Sequence, residues 1–91
     1  MCRNIRILYN MDPPTSHAEI HDAALQYVRK VSGMQKPSQA NREAFEHAVA
    51  TVAHATEHLL ADLVTTAAPR DREVEAARRR ARVEQRFGRV A

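Results

Sequence analysis

Apolar residues recur at helical spacing in the first third of the chain. Ser16, followed three residues later by Glu19, has the spacing of a capping box, in which both side chains bond backbone amides at a helix start. Gly33 suits the left-handed residue just beyond a helix end. We therefore predict a first helix at about residues 16–32, whose apolar stripe consists of Ile20, Ala24, Tyr27, Val28 and Val31.

A second and longer helix is predicted after a short connector. Ser38 is a suitable N-cap, and neither proline nor glycine occurs between Ser38 and Pro69. We expect this helix at about residues 38–65, some 40 Å long against about 25 Å for the first helix. Its apolar residues fall within about 60° of one direction on a helical wheel. They are Phe45, Val49, Val52, Leu59, Leu60 and Leu63, joined by Thr56.

These elements predict an all-α fold, an antiparallel two-helix hairpin with a packed N-terminal extension. The extension ends at Asp12-Pro13-Pro14, and its ten preceding residues fit either extended chain or one helical turn. Asp71 is a suitable cap for a third helix, which has a weak apolar face and is expected to be nascent or partner-dependent. We divide the chain into a hairpin domain at residues 1–68 and a basic tail at residues 69–91, helical or disordered. The expected core residues are Tyr27, Val28, Phe45, Val49, Val52 and Leu60.

The net charge of +3 on these 91 residues is unevenly distributed. Residues 1–68 carry six Lys and Arg against seven Asp and Glu, whereas residues 69–91 carry eight Arg against four acids. The body is therefore close to neutral and the tail is basic. The single cysteine excludes an internal disulfide, and no apolar run approaches the length of a signal peptide core or a membrane span. We expect a cytoplasmic protein without a membrane partner.

Several short blocks resemble one known family. They are Met1-Cys2-Arg3-Asn4-Ile5-Arg6, Pro13-Pro14, Gln26 to Gly33, Lys36-Pro37-Ser38, Asn41, Ala44-Phe45 and Leu59-Leu60. In this order the blocks resemble the domain of unknown function 2277, a family of small bacterial proteins. The family has no assigned activity, so the resemblance implies no substrate, cofactor or partner.

Five histidines raise the question of a metal site. His17 and His21, like His54 and His58, are four residues apart, which places two imidazoles on one side of a helix. On the second helix, however, the histidines lie opposite Phe45 and face solvent, and no glutamate lies inside either pair as it does in metalloproteases. We therefore expect solvated histidines, with no metal and no cofactor.

Cys2 is the one candidate for a reactive group. If the initiator methionine is removed, Cys2 carries both the thiol and the α-amine, and neighbouring cations favour the thiolate. A small packed thiol is the alternative. No catalytic partner for Cys2 is identifiable from the spacing of other residues, so the sequence favours a non-enzymatic protein.

Two clusters of cations favour nucleic-acid binding as an alternative function. One surrounds the connector between the helices, and the other could form a cationic arm that contacts phosphates without reading bases. The turn is too long and the second helix too extended for a helix–turn–helix reader. The first cluster is Arg29, Lys30, Lys36 and Arg42, and the second is Arg78, Arg79, Arg80, Arg82 and Arg86.

Self-association is the leading expectation. A chain of this size buries only about 60–65% of its unfolded surface, and a two-helix hairpin covers both apolar stripes poorly. The longer second helix also projects beyond the first and can meet a second copy. We therefore expect a homodimeric protein-interaction module, whose protein partner is otherwise unspecified. The alternative is that the N-terminal extension folds back and closes a monomeric core.

Overall fold

The computed structural model describes residues 5–87 and confirms the all-α fold. It contains three α-helices, α1 (His17–Ser32), α2 (Arg42–Asp62) and α3 (Arg72–Phe87). A 3₁₀ turn at Gln39–Asn41 leads into α2. Two-residue strands, β1 (Met11–Asp12) and β2 (Arg70–Asp71), pair in parallel. The helical hairpin of α1 and α2 is therefore joined by a third helix that is anchored to the N-terminal segment.

Helix α1 begins and ends as its sequence predicts. The Ser16 hydroxyl accepts a hydrogen bond from the Glu19 amide at 3.2 Å, and Glu19 Oε1 accepts one from the Ser16 amide at 2.9 Å. These bonds satisfy amides that have no partner within the helix. At the other end Gly33 has φ +72°, and its amide donates to the Arg29 carbonyl. The left-handed geometry that stops α1 is easily adopted by glycine because it has no Cβ.

Helix α2 is shorter at both ends than predicted. Ser38 does not cap it, because the chain first makes the 3₁₀ turn, in which the Ser38 hydroxyl accepts from the Asn41 side chain at 3.0 Å. At the other end Leu63 is extended, with ψ 142°. The run Val64-Thr65-Thr66 that follows is β-branched and disfavours helix. At 21 residues α2 is about 31 Å long, and α1 is about 24 Å, so the overhang is smaller than expected.

The core lies between α1 and α2 and is small. Within residues 5–87 five apolar side chains are buried: Ile20, Ala24, Val28, Phe45 and Val49. Val52 and Leu60, also expected in the core, are only partly buried, and the prediction for Tyr27 is wrong. Tyr27 is 47% exposed because it lies about 60° to one side of the α1 residues that face α2.

The N-terminal segment packs on the hairpin and carries the strand that receives β2. Asn10 adopts the left-handed region, with φ 58°, which asparagine tolerates better than most residues. Its side-chain amide donates to the carbonyls of Ala67 and Ala68 at 3.3 and 3.1 Å, and its own carbonyl accepts from the Arg70 amide at 2.7 Å. Asn10 therefore holds the chain that leads into α3.

The third helix, expected to be nascent, is formed over 16 residues. Asp71 caps it, since its carboxylate accepts from the amides of Glu73 and Val74 at 2.8 and 3.1 Å. Only its first turns contact the body, where Arg72, Glu75, Ala76 and Arg79 are partly buried. Residues 80–87 are all exposed, so the second half of α3 projects from the domain.

The molecule is flat and open for its size. Its extents are 46 × 42 × 18 Å, and the Cα radius of gyration is 16.0 Å. A compact chain of this length has a radius of gyration of about 12 Å. Among the described residues no side chain is completely inaccessible to solvent, which agrees with a single layer of helices around a thin core.

Candidate interaction surfaces

One side of the hairpin carries a set of apolar residues that remain exposed or only partly buried in the described chain. Tyr27 and Val31 lie to one side of the core line of α1, and Val52 and Leu59 lie to the same rotational side of α2. Because the helices are antiparallel, these two flanks fall on one side of the hairpin. Val31 is 65% exposed and Leu59 is 55% exposed. We call this surface the hairpin face; it consists of Tyr27, Val31, Ala48, Val52, Ala55 and Leu59.

The connector cations lie at the end of α1, in the connector and at the start of α2, and these three parts meet at one end of the hairpin. Arg29 already makes one hydrogen bond within the protein, because its Nε donates to the Gln35 carbonyl in the connector at 3.0 Å. Lys30, Lys36 and Arg42 are exposed. Arg42 is the first residue of α2, where the helix dipole is already positive. Four positive charges therefore lie at this end of the hairpin.

The predicted arginines of the tail separate onto different sides of α3. Arg78, Arg82 and Arg86 are four residues apart, exposed, and therefore form one row. Arg79 is partly buried against the N-terminal segment, and Arg80 lies on another side. Arg78 is 3.4 Å from Glu75, and the Arg86 guanidinium lies 5.9 Å from the Phe87 ring centre. We call Arg78, Arg82 and Arg86 the arginine row.

A bidentate ion pair fixes the start of α3 to the start of α1. The Arg72 guanidinium donates to both carboxylate oxygens of Glu19, at 2.8 and 2.9 Å, and its Nε donates to the Pro13 carbonyl at 2.7 Å. The bonds from Arg72 and from the Ser16 amide lower the pKa of Glu19 to about 2. The hydrogen bonds that Arg72 donates to Glu19 also raise the pKa of Arg72. Glu19 therefore both completes the capping box of α1 and binds the arginine that attaches α3.

The sequence predicts one partner of this ion pair, Glu19, but not the other. The capping box identifies Glu19 as a residue with one carboxylate oxygen already used. It does not identify Arg72, which is 53 residues away and lies among eight arginines of similar appearance. The contact depends on how the 63–69 segment returns to the N-terminal segment.

A cleft of about 640 Å³ lies between the N-terminal segment and the hairpin. Its apolar walls include Leu8, Ile20 and Leu60, and its rim carries His17 and Glu57, which are in hydrogen-bond contact through His17 Nδ1. The His17 side chain is 92% exposed, whereas the Glu57 side chain is 35% exposed and therefore partly buried. Glu57 has no signal in the sequence that singles it out, because it lies 40 residues from its partner.

His21 lies on α1 with His17, whereas His47, His54 and His58 lie on α2, where the last two are in direct contact. The Nε2 atoms of His54 and His58 are 3.1 Å apart. Over residues 5–87 no group of three or more His, Cys, Asp or Glu side chains is arranged to hold a metal ion. Cys2, the candidate reactive thiol, lies outside the described residues.

None of the described helices combines the length and the apolar character that crossing a membrane requires.

The comparison with protein families gives one match, to the family described as Uncharacterized conserved protein (DUF2277), over residues 1–78. The chain belongs to this family. The DUF2277 match includes the hairpin, the N-terminal segment and the anchored first turns of α3. Arg79, Arg80, Arg82 and Arg86 lie beyond it. Neither the curated proteins nor the solved structures gave a match to the chain.

Proposed function

We propose that this DUF2277 protein is a non-enzymatic interaction module that pairs with a second copy of itself through the hairpin face. The observation that carries the proposal is the surface left open by the fold. The accessible surface of the chain is 7438 Å². A compact monomer of 10.3 kDa exposes about 5,400 Å².

The difference of about 2,000 Å² exceeds what a stable dimer needs from each partner. A standard interface buries about 800 Å² per chain. The hairpin face lies within α1 and α2. It also lies within the residues matched by the family model, which favours it as the surface that serves a function common to the family.

The chemistry of the face suits a second copy. It has no charged side chain among its six members, and Ala48 and Ala55 allow two helices to approach closely. A two-fold axis would bring Leu59 and Tyr27 of each copy against the same face of the other, so that one patch is complementary to itself. Aromatic and apolar side chains at the centre of such a patch are the usual sources of binding energy.

Sedimentation velocity or light scattering at micromolar concentration tests this proposal. We expect a dimer of about 20.6 kDa, twice the 10.3 kDa chain mass. Leu59→Asp should give a monomer that keeps its helical circular dichroism, because Leu59 is half exposed and an aspartate there remains hydrated in the monomer. The matched control is Val64→Asp, at a residue that is 93% exposed and lies beyond α2. A wild-type monomer at all accessible concentrations, or equal association of both variants, contradicts the proposal.

The arginine row supports a second candidate function, sequence-nonspecific binding of nucleic acid. Three exposed guanidinium groups one helical turn apart can contact successive phosphates, and residues 80–87 project far enough to reach a groove. We expect Arg78→Gln, Arg82→Gln and Arg86→Gln together to weaken DNA binding and to lower the log–log salt slope by about 0.9 for each lost phosphate contact.

A matched charge change keeps this experiment specific. A second variant with Lys30→Gln, Lys36→Gln and Arg42→Gln also loses three positive charges, but at the connector end of the hairpin. If that variant loses binding and the arginine-row variant does not, the nucleic-acid surface is at the connector. No binding to DNA or RNA at low salt removes this second function and leaves self-association as the proposal.

A further inference from the structure

The His54–His58 contact has a geometry that solvated histidines do not require. The two rings are 4.5 Å apart between centroids and inclined at 66°, and their outer nitrogens converge to 3.1 Å. Two imidazole nitrogens at this distance either share a proton in an N–H···N hydrogen bond or are placed to share a metal ion.

The structure assigns a two-ligand site to this pair, and we propose that His54 and His58 together bind one divalent ion of the class of Cu²⁺, Ni²⁺ or Zn²⁺. Imidazole nitrogen binds zinc at about 2.0–2.1 Å, a bond length at which the 3.1 Å separation corresponds to an N–metal–N angle of about 98°. That angle lies between about 90° for a square-planar or octahedral site and about 109° for a tetrahedral one. The separation of the two nitrogens is therefore compatible with binding of one ion by both rings.

The position of the pair on α2 explains why it is available. His54 and His58 are exposed and lie on the side of α2 that faces away from the core. They are about 120° around the helix from Leu59, so metal binding and self-association use different surfaces. The other pair at the same spacing, His17 and His21, differs because His17 contacts Glu57 through its Nδ1.

The site is open, which sets the expected binding behaviour. Among residues 5–87 no third side chain completes a metal-binding group, so water fills the other coordination positions. We expect Cu²⁺ to bind more tightly than Ni²⁺ or Zn²⁺, because sites of nitrogen ligands follow that order.

Calorimetric titration of CuCl₂, NiCl₂ and ZnCl₂ tests the proposal. It is carried out on the full chain carrying Cys2→Ser, so that a thiolate does not compete for the ion. We expect one ion per chain. His54→Gln and His58→Gln should each weaken binding at least about tenfold, because the second imidazole otherwise binds at a high effective concentration. Each should leave the helical circular dichroism unchanged, since both residues are exposed.

His47→Gln is the matched control. His47 lies on the same side of α2, but it is seven residues before His54, about 10.5 Å along the axis, and cannot complete the chelate. The His47→Gln variant should bind the metal ion with the same affinity as the parent protein. The proposal is overturned if the parent binds none of the three ions at millimolar concentration, or if His54→Gln and His58→Gln bind as the parent does. Loss of binding in His17→Gln instead would also overturn it.

Discussion

Replacement of Phe45 by alanine tests whether the hairpin core has the arrangement described. Phe45 is 9% exposed and packs with Ala24, Val28 and Val49, which make up most of the buried core. Removing a buried phenylalanine side chain costs about 3–5 kcal/mol, from lost transfer energy and from the cavity that remains. The core here is thin and can partly collapse, so we expect the lower end, about 3 kcal/mol. In a domain of this size that loss lowers the melting temperature by about 12–24 °C.

The chain provides an unusually close control, because its only other phenylalanine is exposed. Phe87 is 65% exposed at the last residue of α3, and its truncation to alanine should change stability by less than about 0.5 kcal/mol. Thermal and urea unfolding are followed by circular dichroism at one fixed protein concentration, because self-association would add concentration-dependent stability. If Phe45→Ala melts within a few degrees of Phe87→Ala, the side of α2 assigned to the core is wrong.

Three further substitutions test the ends of the helices and the attachment of α3. Glu19→Gln keeps the cap of α1 but removes the charge that pairs with Arg72. Because the pKa of Glu19 is lowered to about 2, the wild type should have a free energy of unfolding up to about 1 kcal/mol higher than this variant above pH 4.5. This difference should disappear as the pH falls toward 2. A constant difference across this range in pH-dependent melts would contradict that role. Gly33→Ala should lower the free energy of unfolding by about 1 kcal/mol. The cause is the left-handed backbone at residue 33, because no atom lies within 4 Å of an added Cβ. Gly33→Asn should lower it less, since asparagine tolerates this backbone better. Asn10→Ala should be less stable than Asn10→Gly by about 1 kcal/mol in urea melts. Both variants lose the hydrogen bonds of the side-chain amide, but only alanine is strained at positive φ. Equal stabilities would exclude backbone strain at this position.

The parts of the fold that depend on local chemistry were predictable from the sequence. The capping box at Ser16 and Glu19 and the glycine at residue 33 set both ends of α1 within one residue of the prediction. The bounds of α2 were less accurate, because a 3₁₀ turn and an α-helix start with similar residues, and because the β-branched run after Leu63 ends the helix without proline or glycine. Periodicity identified the stripe of α1 but could not tell its buried centre from its exposed edge at Tyr27.

The parts that depend on long-range contacts were not predictable. Residue spacing located the connector cations and the two histidine pairs, since each is local to a helix or a turn. It did not show that Arg72 binds Glu19, that Asn10 holds the carbonyls of Ala67 and Ala68, or that Glu57 contacts His17. Each of these contacts joins residues at least 40 positions apart. A single sequence contains no record of which distant positions approach each other.

The attachment of α3 changes how the basic tail must be studied. Charge alone places a boundary at residue 69, but the next three residues supply the β2 backbone and the Arg72 guanidinium, both bound by the N-terminal segment. Deletion from residue 70 would therefore remove the partner of Glu19 and of β1 together with the arginines. A loss of nucleic-acid binding after that deletion could reflect damage to the hairpin as well as loss of charge. Neutralising the arginine row one helical turn at a time avoids this ambiguity, because Arg82 and Arg86 lie beyond the contacts that hold α3 in place and Arg78 is exposed.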